Sequence, residues 1–178
     1  WQSLFLSKLA SVRFAVDATA GNGYDTLFLA AHTQPDCRIW ALDIQAQALE
    51  KTKTRLTEAH FEDKVFFCRH SHADLLKVIP EPPDCIVFNL GYLPGGDHTM
   101  TTQAATTLPA LGQALQLLRP GGWCSVMMYP GHEAGKMERE LLLTWASSLE
   151  RTTASVSHWH MVNHQEGAPE LLLLEKPC

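Results

Sequence analysis

One stretch, residues 16–26, restricts the folds open to this chain more than any other. It reads V-D-A-T-A-G-N-G-Y-D-T, follows a short apolar segment at residues 14–16 and leads into an apolar helix at residues 27–31. Gly21 and Gly23 let the backbone turn tightly and approach a ligand without interference from a Cβ atom, and the start of the helix offers unpaired N–H groups. The pattern predicts the strand–loop–helix unit of a nucleotide-binding α/β fold.

The residues around the two glycines indicate which nucleotide the loop binds. A dinucleotide fingerprint has a third small residue where this chain has Thr26. Asp17, at the end of the strand, and Asp25, in the first helical turn, would repel a pyrophosphate. S-adenosylmethionine has no phosphate, and its sulfonium and ammonium groups would be attracted by the same carboxylates. We therefore expect S-adenosylmethionine rather than NAD.

A further acidic residue belongs to the expected cofactor site. Asp43 closes the second apolar run and lies twenty residues after Gly23. This position suits a carboxylate that accepts hydrogen bonds from both ribose hydroxyls. NAD enzymes share that acid, so Asp43 predicts a nucleoside without distinguishing between the two cofactors.

Length and composition limit the class of protein. With 178 residues, 46% of them hydrophobic, the chain suffices for one well-buried domain, so we expect a single domain over residues 1–178. No apolar run approaches the roughly 20 residues of a membrane span, and no signal-like leader opens the chain. Five scattered cysteines without paired spacing indicate a reducing compartment and hence the cytoplasm. Because the first residue is not Met, an organellar protein with a removed targeting segment stays open.

Charge and histidine content argue against two other classes. The net charge of −5 does not suit a protein that coats nucleic acid, which needs Lys and Arg against phosphates. A local RNA footprint at Lys51, Lys53 and Arg55, or at Lys136 and Arg139, stays open beside the alternative of solvated helix faces. The nine histidines form no H-E-x-x-H motif and accompany no cysteine pair, so we expect no metal site.

Strand and helix patterns alternate along the rest of the chain. Apolar runs predict strands at residues 14–16, 38–43, 65–69, 85–88, 123–129, 154–162 and 170–175. Helical spacing predicts helices at residues 2–10, 25–32, 45–60, 73–79, 102–118 and 133–150. The turn at residues 167–169 is too short for a parallel crossover, so the last two strands should form an antiparallel hairpin. The pattern predicts a Rossmann-like α/β fold with a seven-stranded, mostly parallel sheet.

Polar residues follow two of these strands at their carboxyl ends, where ligands lie in open α/β sheets. Ser71 and His72 come after the third strand, and either could meet the adenine, although Ser71 could equally cap the helix at residues 73–79. His132 comes after the fifth strand, either as a site residue or as an ordinary residue at the start of a helix.

The fourth strand runs into a Gly- and Pro-rich loop that begins with Asn89 and contains Tyr92. It is similar to the Asn-Pro-Pro-Tyr loop of amino-methyltransferases, in which amide and carbonyl oxygens orient the target amine and the aromatic ring stacks on a base. Here Leu90-Gly91 replaces the two prolines. The alternative is a plain turn at Pro94-Gly95-Gly96.

Taken together, the motifs resemble one family over nearly the whole chain. It comprises the small class I methylases formerly labelled rRNA methylases and now associated with tRNA 5-aminomethyluridine methyltransferase. The resemblance rests on residues 17–26 and 88–97, Thr106-Thr107, Tyr129-Pro-Gly-His132 with Gly135 and Glu138, and residues 174–176. It implies an S-adenosylmethionine enzyme that methylates the aminomethyl nitrogen of the wobble uridine in the tRNA anticodon loop, with no metal and no membrane.

The resemblance also implies roles for individual residues. Asn89, Tyr92, Asp97 and His132 would face the substrate, and either Asp97 or His132 would take the proton of the amine. The implied cofactor-binding residues are Asp17, Ala18, Thr19, Gly21, Asn22, Gly23, Asp25, Thr26, Asp43, Ile44, Ser71, His72, Asn89 and Gly91.

One departure from the family affects the substrate. The family has an Asn-rich, Pro-Pro stretch before the last strand, whereas residues 165–170 here read Q-E-G-A-P-E. The substrate could therefore be another RNA or a small amine. A non-catalytic nucleotide-binding module is the other alternative, and the retained Asn89–Tyr92 loop argues against it. Whether the chain is a monomer or a homodimer stays open.

Overall fold

The protein is described by a computed structural model over residues 2–91, 102–165 and 167–178. The strands are β1 Phe14–Asp17, β2 Arg38–Leu42, β3 Val65–Cys68, β4 Cys85–Asn89, β5 Trp123–Met128, β6 Ser155–Trp159 and β7 Glu170–Glu175. The α-helices are α1 Gln2–Leu9, α2 Tyr24–His32, α3 Ala46–Glu58, α4 Leu75–Val78, α5 Ala104–Leu117 and α6 Glu133–Ser147. Two short 3-10 helices cover Glu62–Lys64 and His72–Asp74.

The strands form one seven-stranded sheet in the order β3-β2-β1-β4-β5-β7-β6. The first five are parallel, whereas β7 is antiparallel to both β5 and β6. The predicted fold class and the predicted C-terminal hairpin are confirmed. The chain leaves β1 toward β2 and returns to pair β4 on the other side, which places the topological switch point between β1 and β4. Ligands of open α/β sheets bind in the crevice at such a point.

Helices cover both faces of the sheet, which explains why the central strands read as continuous apolar runs. All four residues of β1 and all six of β5 are buried. One apolar cluster joins the sheet to α1, α2 and α3, and the other joins it to α4, α5 and α6. In the first cluster Phe5 of α1 stacks on Trp123 with 4.6 Å between ring centroids, so α1 covers the sheet as predicted.

Several predicted elements are longer than those observed. The strand predicted at residues 154–162 ends at Trp159, because residues 160–165 are exposed and pair with no neighbouring strand. The helix predicted at 73–79 divides into a 3-10 turn and the four-residue α4. The helix predicted from residue 102 begins at Ala104, because Thr102 pairs with Gly91 instead. Among the helices of the described ranges, none is both long and apolar enough to cross a bilayer.

Candidate functional site

The loop between β1 and α2 is organised around the buried carboxylate of Asp17. Asp17 has no exposed surface. Its Oδ1 accepts a hydrogen bond from the Thr19 N–H at 3.1 Å, and its Oδ2 accepts one from the Thr26 hydroxyl at 2.6 Å. Thr26 is itself fully buried, so the residue that departs from a dinucleotide fingerprint is the hydrogen-bond donor that this acid requires. Both oxygens of Asp17 therefore accept hydrogen bonds from within the loop and the start of α2.

The environment of Asp17 also changes its acidity. Burial, together with the nearby charge of Asp25, raises the pKa of Asp17 from 3.8 to about 7, although the hydrogen bonds from Thr26 and Thr19 oppose this shift. Burial has this effect because a low dielectric disfavours the charged form. The carboxyl group beneath the loop therefore changes its protonation state near neutral pH.

The next part of the loop is tied to α3 and to the end of β2. Gly21 and Gly23 have φ angles of 53° and 81°, in the left-handed region that favours glycine. A Cβ atom on Gly23 would lie 2.8 Å from the Cα atom of Thr52, so only glycine allows α3 to pack this closely. The Thr52 hydroxyl donates to the Gly21 carbonyl oxygen at 3.0 Å. The glycines thus serve both the turn and the helix packing.

Asp43 joins the two loops that would hold a nucleoside. Its Oδ2 accepts from the Gly21 N–H at 2.9 Å, and its Oδ1 accepts from the Gln45 N–H at 2.8 Å. The carboxylate therefore lies directly beside the glycine loop, as the sequence spacing predicts. Ile44, the next residue, is 51% exposed and leaves an apolar surface at the same edge of the sheet.

Arg55 supports the loop from α3 rather than lying on a fully solvated face. Its Nε donates to the Asn22 carbonyl oxygen at 2.8 Å, and its guanidinium carbon lies 3.7 Å from the ring centroid of Tyr24. Helical spacing alone gave no signal for this contact, because it joins residues more than thirty positions apart.

Asn89, the last residue of β4, lies across the switch point from the glycine loop. Its backbone N–H donates to the Thr19 hydroxyl at 2.7 Å, and its Nδ2 donates to Oδ2 of Asp25 at 2.8 Å. The other oxygen of Asp25 accepts from Nε2 of Gln2 at 3.1 Å. These bonds determine the orientation of the amide group, because the nitrogen must face the carboxylate. The carbonyl oxygen of the amide then remains as an acceptor.

Tyr129 joins this group although the residues predicted for the site did not include it. It follows β5. Burial and then the nearby charge of Asp25 raise its pKa, and the neighbouring Asn89 side chain opposes this shift. The signal that could have found it is its position, since it follows a parallel strand at the carboxyl edge of the sheet.

Ser71 and His72 lie at the carboxyl end of β3. The Ser71 hydroxyl oxygen accepts from the Ala73 N–H at 3.1 Å, so Ser71 caps the 3-10 turn, as one of its two readings predicts. His72 Nε2 lies 3.3 Å from the Thr106 hydroxyl, and its ring meets Phe88 edge-on at 6.0 Å. Burial lowers the pKa of His72, so the ring is neutral at pH 7 and can meet a base by stacking or hydrogen bonding.

His132 is the N-cap residue of α6. Its Nδ1 accepts a hydrogen bond from the Gly135 N–H at 3.1 Å, which confirms the helix-start reading. A ring nitrogen that accepts carries no proton, so the neutral ring holds its proton on Nε2. Tyr92 and Asp97, the other two residues expected at the substrate, lie outside the described residues.

Another buried carboxylate, that of Glu138, lies near the end of β4 and the start of α5. Glu138 of α6 is 6% exposed and accepts from the hydroxyls of Thr102 and Thr107 at 2.9 and 2.6 Å. Thr102 in turn accepts from the Gly91 N–H at 2.8 Å. Of this network, Gly91, Thr107 and Glu138 occur in the motifs by which the family is recognised, whereas Thr102 does not. Among the described residues, no group of three or more His, Cys, Asp or Glu side chains could hold a metal ion.

The sheet order, the acids after β1 and β2 and the asparagine at the end of β4 together define the class I methyltransferase fold. Within this class, residues 39–175 match the family described as "Putative rRNA methylase". The chain belongs to this family, and the resemblance found in its motifs is confirmed.

Several known proteins are similar to this chain. An Arabidopsis thaliana protein named "tRNA (mnm(5)s(2)U34)-methyltransferase, chloroplastic" is 34% identical over 171 residues, which cover 90% of this chain and 62% of the relative. The chain thus spans less than two thirds of that relative's length. A Clostridium thermocellum structure described as "putative rRNA-methylase" matches with a TM-score of 0.93 and 34% identity, over 98% of this chain and 94% of the other. A Streptococcus mutans structure, described as "a putative methyltransferase" in complex with SAH, matches with a TM-score of 0.85 and 33% identity, over 97% and 93%.

Proposed function

We propose that this chain is an S-adenosylmethionine-dependent methyltransferase that methylates the aminomethyl nitrogen of wobble 5-aminomethyluridine in the anticodon loop of tRNA. The observation that carries the proposal is the Asn89 amide, which Asp25 orients at the switch point beside the glycine loop. The name of the Arabidopsis relative supports the RNA substrate, and the SAH bound to the Streptococcus mutans relative supports the cofactor.

The residues around the glycine loop suit this cofactor. Asp43 would accept from the ribose hydroxyls in addition to the two backbone N–H groups that it already holds in place. Ile44 and His72 would lie against the adenine. Asp25 would lie near the cationic end of the cofactor, where a carboxylate attracts a sulfonium or an ammonium group. A pyrophosphate would meet the same charge unfavourably, so NAD fits this loop less well.

Asn89 would orient the acceptor amine. Because the amide nitrogen donates to Asp25, the amide oxygen would accept an N–H of the amine and direct the nitrogen lone pair toward the methyl group. When bound, S-adenosylmethionine supplies the methyl group, and its C–S bond breaks as the new N–C bond forms. Orientation of this kind can contribute roughly 7 to 11 kcal/mol to lowering a barrier. The Tyr92 ring would stack on a base of the RNA, as in the related amino-methyltransferase loops.

The amine must lose a proton before or during transfer, since an ammonium has no lone pair. An alkylamine resembles Lys, whose reference pKa is about 10.4, so at neutral pH a base or desolvation is required. Asp97 is the better candidate for the base, because His132 already uses Nδ1 as an acceptor for the start of α6. If Asp97 takes the proton, kcat of Asp97→Asn falls at neutral pH and recovers in part as the pH rises.

The decisive experiment uses tRNA with and without the aminomethyl group. The protein is incubated with S-adenosylmethionine and each tRNA, and the nucleosides are analysed by mass spectrometry. We expect one added methyl group on the aminomethyl-bearing tRNA alone, and a much slower addition with Asn89→Ala. Methylation of a different nucleoside or of a free alkylamine would support the alternative substrates. Cofactor binding without transfer to any of them would indicate a non-catalytic module.

The compartment belongs to the same proposal. The five cysteines form no disulfide, and burial raises the pKa of Cys85 and Cys124, which keeps these thiols protonated and unreactive. We place the reaction in a reducing compartment, the cytoplasm or the interior of an organelle.

A further inference from the structure

The backbone that follows Asn89 is closed by a pair of hydrogen bonds. The Gly91 N–H donates to the Thr102 hydroxyl at 2.8 Å, and the Thr102 N–H donates to the Gly91 carbonyl oxygen at 3.0 Å. On the preceding residue, the Leu90 N–H donates to the Met127 carbonyl oxygen at 2.9 Å. The two residues after Asn89 are therefore held from both β5 and Thr102.

Glu138 determines where Thr102 lies. Its Oε2 accepts from the Thr102 hydroxyl at 2.9 Å, and its Oε1 accepts from the Thr107 hydroxyl at 2.6 Å. Thr107 is fully buried in α5, and Glu138 is 6% exposed in α6. One carboxylate thus connects two helices to the backbone beside Asn89. The Thr102 hydroxyl donates its single proton to Glu138, which leaves the lone pairs of its oxygen to accept from the Gly91 N–H. The carboxylate therefore orients the hydroxyl as an acceptor for Gly91.

The network does not serve helix packing efficiently. Burying a carboxylate is costly, and neutral hydroxyls offset the cost less than an opposite charge would. Apolar side chains already join α5 to α6, since Leu111 and Leu142 belong to one buried cluster. A buried acid that is not needed to hold the helices together is more readily explained by the position that it imposes.

We propose that Glu138 is a positioning residue, which acts through Thr102 to hold the Gly91 amide and thereby the amide group of Asn89. The inference rests on the proposed function, because it assigns to Asn89 the orientation of the acceptor amine. Glu138 itself does not touch the reacting atoms. Glu138 instead fixes the position of the start of α5 relative to the end of β4.

The first test measures the hydrogen bond itself and does not depend on any substrate. Amide hydrogen exchange at Gly91 and Thr102 is compared in the wild type, Thr102→Val, Thr102→Ser and Glu138→Gln. Thr102→Val keeps the shape but removes the acceptor, so exchange at Gly91 should accelerate by roughly twofold to tenfold, the equivalent of one hydrogen bond. Thr102→Ser retains the hydroxyl and should stay close to the wild type. Glu138→Gln leaves the Thr102 proton without a carboxylate acceptor and should fall between them.

The second test measures methyl transfer. In Thr102→Val and Glu138→Gln, kcat should fall by about tenfold to a hundredfold, as expected for a small misplacement of an orienting group, while KM for tRNA changes less. Thr144→Val is the matched control, because Thr144 is exposed on α6 and its hydroxyl bonds only to the Glu140 carbonyl oxygen in the described structure. Its kcat and its Gly91 exchange should match the wild type.

Two outcomes separate this inference from the proposed function. If Thr102→Val and Glu138→Gln lower Tm but leave Gly91 exchange and kcat unchanged, the network is structural only and the inference is overturned. If the wild type transfers no methyl group to tRNA while Gly91 exchange responds as expected, the proposed substrate fails and the positioning of Gly91 by Glu138 stands.

Discussion

The loop after β1 meets the end of β4 at the switch point, and these two regions are stabilised in different ways. In the first, carboxylates accept from backbone N–H groups: Asp17 bonds to Thr19 and Asp43 to Gln45, each two positions away, and Asp43 also bonds to Gly21, 22 positions away. In the second, side chains contact side chains from distant elements. Asn89 reaches Asp25 over 64 positions, and Thr102 reaches Glu138 over 36.

The first arrangement shapes a loop, and the second orients a functional group. A carboxylate that holds two N–H groups restricts the backbone path, so its loss should weaken a ligand that the path encloses. An amide held by a carboxylate has one defined orientation, so its loss should affect the geometry of the reaction more than binding. Substitutions on the two sides should therefore give different patterns of Kd and kcat.

Substitution of Asn89, at the end of β4, should give the largest loss of activity. Asn89→Ala removes the group that orients the amine, so we expect kcat to fall by about a hundredfold or more. Single-turnover methyl transfer measures the loss, and calorimetry on the same variant should find a much smaller change in the Kd of S-adenosylmethionine. An equal loss in both quantities would mean that Asn89 belongs with the cofactor loop and that the two sides do not differ in this way.

For the loop after β1, the Asp17 carboxyl group predicts how the free energy of unfolding depends on pH. Its pKa is raised from 3.8 to about 7 in the folded protein, so the native state holds a proton that the unfolded state has lost. The stabilisation is complete below pH 4 and is lost as the pH rises through 7. Relative to Asp17→Asn, the wild type should lose roughly 2 kcal/mol of unfolding free energy between pH 5 and pH 8. Urea unfolding at several pH values measures this difference. Parallel curves for the two proteins would contradict the raised pKa.

Substitution of Asp43 should weaken cofactor binding more than it slows methyl transfer. Asp43→Ala removes a charged acceptor, and bonds of this kind contribute about 1.5 to 3 kcal/mol each. We expect the Kd of S-adenosylmethionine to rise by about tenfold to a hundredfold, with a smaller change in kcat at saturating cofactor. Asp36→Ala is the matched control, since Asp36 is exposed and ion-paired to Arg13 at the surface. Unchanged affinity in Asp43→Ala would show that this carboxylate does not bind the ribose, and tight binding of NADH would favour NAD over S-adenosylmethionine as the cofactor.

His132 should give the smallest effect. His132→Ala removes the cap of α6 and should lower the unfolding free energy by about 1 kcal/mol, whereas His132→Asn, which supplies another capping side chain, should restore most of it. Because Nδ1 serves the cap, we expect no recovery of kcat at high pH in either variant. A clear recovery in His132→Asn, with normal stability, would instead assign the amine proton to His132.

Local sequence determined the outline of this protein. Apolar runs of four to six residues and the turns between them predict the parallel strands, because burial on both faces requires continuous apolar residues. The short turn before β7 rules out a parallel crossover, and the spacing from Gly23 places Asp43 beside the glycine loop. Each of these features depends on backbone geometry within one strand, one hairpin or one strand–helix–strand unit, which is why a sequence pattern can predict it.

Tertiary structure decided the chemistry of the side chains. The partners of Asp25 are Gln2 and Asn89, and those of Glu138 are Thr102 and Thr107; none of these pairs has a periodic signature, because each depends on how a helix packs on the sheet. The same holds for the raised pKa of Asp17, since burial is a property of the assembled fold. Residue types and spacing predict where a site lies, whereas hydrogen bonds between distant elements decide which atoms of that site remain available to a ligand.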